Sequence, residues 1–187
     1  MQKKVWSSLI LATLLTTSLQ AEISKEYYEN GKVKYEINFE NGKKNGITKE
    51  YYPDGKLKAK WNYRNDLLNG ISVQYDEKGF KRAEVNFVDG VQKGLTRKYE
   101  NGLLKYELNY QNGQPDGTVK EYENNRLKAQ WHYKNGVKDG ISTVYYPSGK
   151  KKLELHYKNG KLDGISREYY ENGNLKAEWH YTDGVLN

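Results

Sequence analysis

Residues 164–187 read GISREYYENGNLKAEWHYTDGVLN, and this stretch decides the fold. From Leu175 to Tyr181 apolar and polar residues alternate strictly, the period-two signature of a half-buried strand. The shorter run Ile165–Tyr169 carries apolar groups at both ends, and Glu171-Asn172-Gly173 between the two runs is a hairpin turn sequence. A three-residue loop there pairs Tyr170 with Asn174, Tyr169 with Leu175 and Glu168 with Lys176. That register is expected to gather apolar residues on one face and opposite charges on the other.

Outward from this stretch the same unit recurs. Residues 22–187 divide without remainder into seven units starting at Glu22, Gly46, Gly70, Gly94, Gly117, Gly140 and Gly164. Five units have 24 residues and two have 23. The shorter ones support the pairing, because loops Asn101-Gly102 and Asn124-Asn125 still set Tyr99 opposite Leu104 and Tyr122 opposite Leu127, with Glu121 opposite Lys128. The longer connection, such as Lys158–Gly164, has no register readable from pattern alone. The predicted fold is all-β: tandem hairpins in an elongated, twisted or curled antiparallel sheet of about fourteen strands. Seven units at about 10 Å per step would span about 65–70 Å.

Composition agrees with a thin sheet. Of 187 residues, 36% are hydrophobic and 13% aromatic, with 18 Tyr, 18 Gly and 3 Pro. The mean hydropathy of −1.03 suggests disorder, but disordered chains are poor in aromatics. The chain has no Cys, which excludes disulfides, thiol nucleophiles and Cys-ligated zinc. Lys3 and Lys4, the mainly apolar run Val5–Leu15 and the small Ala21 read as a secretory signal peptide over residues 1–21. Its removal lowers the formal net charge from +7 to +5, through the loss of Lys3 and Lys4. Nothing in that balance points to nucleic acid.

The pattern of Tyr27-Tyr28-Glu29-Asn30-Gly31 and Tyr169-Tyr170-Glu171-Asn172-Gly173, followed by Asn-Gly-Lys connections, resembles the MORN-repeat variant of many bacterial proteins. The resemblance covers 22–187 and implies a hairpin-repeat fold. Some members resemble antitoxins; the Gly-rich spacing linked to membrane attachment in other MORN repeats is not reproduced, so lipid binding does not carry over.

The candidate sites follow from what is constant and what varies. Two aromatic rows, one from Tyr27 to Tyr169 and one from Phe39 to Tyr181, are expected to form the core together. Trp61, Trp131 and Trp179 interchange with Ile37, Val85, Leu108 and Leu155, which also implies burial. His132, His156 and His180 share one polar position a unit step apart, too far for one metal, so no metal site is expected. The basic stripe Lys34, Lys58, Arg82, Lys105, Lys128, Lys152 and Lys176 is matched by neighbouring Glu and reads as a self-neutralised face. Tyr28, Tyr52, Tyr146 and Tyr170 occur in the two units at each end, while Asp76, Glu100 and Glu123 replace them in the middle. These Tyr, with Trp179 on the last strand, are the candidate binding residues. No nucleophile, phosphate-loop or metal motif is present, so no catalytic residue, cofactor or enzyme activity is expected. The resulting expectation is an exported adaptor that engages a protein partner through its strand edges or exposed Tyr patches, its edge strands being completed by end-to-end association or by strand addition to a partner. An antitoxin-like or immunity protein, and a binder of glycan or acidic envelope polymer, stand as alternatives.

Overall fold

The computed structural model describes residues 21–187; the signal peptide read in 1–21 lies outside the described residues apart from Ala21. These residues form one antiparallel sheet that is not closed, with no helix among them. Its framework is seven long hairpins in chain order. They are Ala21–Tyr27 with Val33–Glu40, Gly46–Tyr51 with Leu57–Arg64, Gly70–Tyr75 with Lys81–Val88, Val91–Glu100 with Leu103–Gln111, Gly117–Glu123 with Arg126–Lys134, Gly140–Tyr145 with Lys151–Lys158, and Gly164–Tyr169 with Leu175–Thr182. Each hairpin pairs with the next, giving six junctions.

Local turn chemistry sets these elements. At the tip of the seventh hairpin the Tyr170 N–H donates to the Asn174 carbonyl and the Gly173 N–H to the Tyr170 carbonyl, both at 2.8 Å. The Asn172 side chain accepts the Asn174 N–H at 2.9 Å, an Asx turn. In the fourth hairpin Asn101 and Gly102 both have positive φ, 50° and 79°, as a two-residue hairpin loop requires. The longer connection resolves into the same chemistry. Asn159-Gly160 (φ 48° and 85°) closes a miniature hairpin in which Tyr157 faces Leu162 and Lys158 faces Lys161.

The expected register holds at the hairpin tips and fails below them. Tyr169 faces Leu175 as predicted, but Glu168 faces Ala177 rather than Lys176, and Glu121 faces Ala129 rather than Lys128. A β-bulge inserts one residue in every long hairpin, and that residue is always the Lys or Arg of the basic stripe. The extra residue reverses the parity of everything beyond it. The two aromatic rows therefore lie on opposite faces and do not form one core. We call the face of Phe39, Trp61 and Tyr63 the inner face, and that of Tyr51, Glu36 and Ile47 the outer face.

The physical reason is the single layer. An unbulged hairpin would collect Ile165, Tyr169, Leu175 and Trp179 on one side of a sheet that no second layer covers. The bulge divides the apolar surface and swings the basic side chain over to the acid it neutralises: Lys58 meets Glu50 at 2.6 Å and Lys176 meets Glu168 at 2.9 Å. What is fully buried is correspondingly small. Ser72, Thr96, Ser142 and Ser166 are 0–1% exposed, and Ala59 and Ala129 are 1% exposed. At the junctions, Ser72 and Ser142 accept the backbone N–H of Asn62 (3.2 Å) and His132 (3.3 Å), donors left over where the inter-hairpin ladder ends.

Candidate binding surface

On the inner face the bulged cations organise the aromatic groups. Glu50, only 8% exposed, accepts from the Lys58 ammonium at 2.6 Å and from the Trp61 indole N–H at 2.9 Å. Trp131 donates likewise to Glu121 at 3.2 Å. Burial opposes ionisation of Glu50, but the bonds from Lys58 and Trp61 outweigh it and hold its pKa below the ordinary carboxylate value. Lys138 lies 3.7 Å from the centroid of the Trp131 ring, and burial lowers its pKa.

The candidate Tyr residues are part of the same arrangement. Lys34, Lys58, Lys152 and Lys176 lie over the rings of Tyr28, Tyr52, Tyr146 and Tyr170 at 5.6–5.8 Å. In two of the three hairpins that have an acid instead, the bulged Lys pairs with it: Lys105 with Glu100 at 3.7 Å and Lys128 with Glu123 at 3.6 Å, whereas Asp76 accepts the backbone N–H of Lys78 and of Phe80. In six of the seven hairpins the position that varies between Tyr and acid thus meets the bulged Lys. Three of the Tyr also tie neighbouring hairpins. Tyr28, Tyr52 and Tyr146 donate to the carbonyls of Tyr51, Tyr75 and Tyr169 at 2.6, 2.8 and 2.7 Å. Tyr170, half exposed on the last hairpin, has no such acceptor among the described residues, and Trp179 lies half-buried on the last long strand opposite Ser166, away from Tyr170 at the tip.

The outer face is a ladder of carboxylates and phenols. Tyr51 donates to Glu36 at 3.0 Å, Tyr99 to Glu84 at 3.1 Å and Tyr122 to Glu107 at 2.8 Å, each across a junction. Cations fill the spaces: Lys25 and Lys49 flank Glu36, and Arg97 bridges Glu84 and Glu107. The bonds from Lys49 and Tyr51 pull the Glu36 pKa down to about 2. Burial and the Glu107 carboxylate push the Tyr122 hydroxyl up to about 12. The His row belongs here too. His180 lies 3.3 Å from Glu178, His156 lies 3.9 Å from Glu154, and His132 contacts Thr118 at 3.2 Å. Among the described residues no group of three or more candidate ligands is placed to hold a metal.

A further row escaped the sequence reading. Ile23, Ile47, Ile71, Leu95 and Ile141 share one outer-face position and are 65%, 46%, 62%, 44% and 47% exposed. Each pairs across its hairpin with an Asn or His, as Ile47 with Asn62 and Ile71 with Asn86, so no cross-strand hydrophobic partner covers it. The signal was the Ser or Thr that follows Ile47, Ile71, Leu95 and Ile141: a small hydroxyl suited to a tight junction faces inward and turns its neighbour outward.

The sequence model described as MORN repeat variant matches residues 23–41, 44–65, 138–159 and 162–183. These segments cover the hairpins at both ends of the sheet, and the unmatched middle repeats the same bulged pairing. No curated protein shows a significant match. With its hairpin-repeat sheet, the chain is a MORN repeat variant at these four segments.

Proposed function

We propose that this protein is an exported, non-enzymatic adaptor whose outer face docks another protein. A MORN repeat array is a repeat scaffold with a binding role, and such all-β arrays are typically non-catalytic. The observation that carries the reading is the aliphatic row from Ile23 to Ile141, exposed on an uncovered face and set between charged and Asn or His positions. Apolar groups flanked by polar ones are what a protein interface presents. Export rests on the basic start, apolar run and small residue of 1–21.

The test is a photoreactive side chain at Ile71, placed in the native cell and followed by fractionation and N-terminal sequencing. The reading predicts a defined protein adduct in the envelope or medium, on a chain beginning at Glu22. No protein adduct would count against the docking surface. An intact chain from Met1 in the cytosol would end the export reading.

A further inference from the structure

Both ends of the sheet present an edge that is unpaired among the described residues. Ala21–Tyr27 pairs only with Val33–Glu40. Leu175–Thr182 pairs with Gly164–Tyr169 and, at its end, with Val185–Leu186. We infer that these edges bind each other in successive copies of the chain, the last strand of one copy taking the first strand of the next in the register of the interior junctions. The occupant is a second copy because every recognition element of an interior junction is present, half on each edge.

The interior junctions define that register. Tyr35 faces Glu50 and Glu36 faces Lys49 at the first, and Leu153 faces Glu168 and Glu154 faces Arg167 at the last. The same unit positions place Ala177 opposite Glu26 and Glu178 opposite Lys25 of the incoming copy. Four of the six interior junctions set Glu against Lys or Arg at this outer-face position, as Glu36 with Lys49 at 3.0 Å and Glu154 with Arg167 at 3.5 Å. The other two pair Lys60 with Val73 and Gln130 with Thr143, so like charges never meet there. Glu178 with Lys25 falls in the charge-paired class.

The hydrogen bonds match as well. Tyr146 donates to the Tyr169 carbonyl at 2.7 Å, and Tyr170 would donate in the same way to the Tyr27 carbonyl. The Gly184 N–H donates to the Leu162 carbonyl at 2.7 Å, leaving the Leu186 carbonyl for the Gly42 N–H. The His132 N–H donates to the Ser142 hydroxyl at 3.3 Å, leaving the His180 N–H for Ser24. Tyr27 and Tyr170 are 59% and 50% exposed at these edges, whereas Tyr51 and Tyr146 inside the array are half-buried. On the inner face Glu26 meets the edge beside the bulged Lys176.

Such a contact is heterologous: it uses two different surfaces and leaves each growing end ready for another copy. It therefore gives an open series of linear assemblies rather than a closed dimer. The test is sedimentation velocity of the full-length chain and of three variants over a concentration series, with circular dichroism to confirm the sheet. The wild-type chain is expected to show masses rising in single-chain steps. Lys25→Glu and Glu178→Lys should each weaken association roughly tenfold, because each sets like charges opposite one another. The double variant reverses the pair and should recover most of the loss. A wild-type chain that stays monomeric would overturn the inference. So would single variants that associate like wild type, a double variant no better than either single one, or a mass that stops at two chains. Docking of another protein on the outer face is measured separately by the Ile71 cross-link and stands or falls without this result.

Discussion

At the scale of single residues, the bulged Lys is the most informative position in the chain. At Lys58 and Lys176 its side chain both neutralises an inner-face acid and covers a Tyr ring, and in every hairpin it marks where the strand changes parity. Lys58→Ala leaves the nearly buried Glu50 with the Trp61 N–H and the long 3.5 Å bond from the Tyr35 hydroxyl but no cation, and should cost about 1–3 kcal/mol in chemical denaturation. Lys56→Ala, at an exposed ion pair with Asp54, should stay within about 0.5 kcal/mol. The second-position Tyr residues divide in the same way. Tyr52→Phe removes the bond to the Tyr75 carbonyl and should lose about 0.5–1.5 kcal/mol, while Tyr170→Phe should leave the stability of the isolated chain unchanged. The candidate Tyr were legible in the sequence as a pattern. Their contacts were not, because the acceptors of Tyr28, Tyr52 and Tyr146 lie one unit away and the cation over each of the four rings arrives through the bulge.

At the scale of the element, the hairpins and their tips were readable: Glu171-Asn172-Gly173 and Asn101-Gly102 fix local φ values that sequence alone specifies. The miniature hairpin at Asn159-Gly160 was equally marked by its Asn-Gly pair but was hidden within a longer connection. The bulge is not legible from the tip, where Tyr169 and Leu175 do pair, because the unbroken alternation of Leu175–Tyr181 does not mark Lys176 as the inserted residue. Its signal was present in the unbroken Lys or Arg stripe, a constancy that surface charge alone does not require. Deleting Arg82 removes the bulge from the third hairpin, makes Tyr75–Lys81 and Gln74–Ala83 regular neighbours, and keeps Ala83, Val85 and Phe87 on the inner face opposite the same partners. Hydrogen exchange of this variant should retain protection across that hairpin and its two junctions; loss of protection there would contradict the assignment of Arg82 as the inserted residue.

For the whole molecule, stability is a sum of six junctions, four of which carry an outer-face carboxylate: Glu36, Glu84, Glu107 and Glu154. Glu36 binds protons less readily in the folded chain, with a pKa of about 2 against an ordinary value of 4.5. Its contribution is therefore present above about pH 4.5 and is lost as pH falls toward 2. Glu84, Glu107 and Glu154 shift in the same direction, held by Lys81, Tyr122 and Lys151 respectively. Acid titration of the thermal midpoint should fall through this window, and added salt should flatten the fall. On the alkaline side Tyr122 holds its proton to about 12, so its contribution is complete below pH 10 and is lost as pH rises through 12.

The central claim is that the bulge turns the aliphatic row outward and the Ser/Thr row inward. Since the chain has no Cys, one introduced thiol reports one position. The most direct measurement is the rate of thiol labelling in native Ile71→Cys and Ser72→Cys, whose parent residues are 62% and 0% exposed. The account predicts rapid labelling at 71 and protection at 72 until the sheet is unfolded. Rapid labelling at 72 with protection at 71 would restore the unbulged register and contradict it.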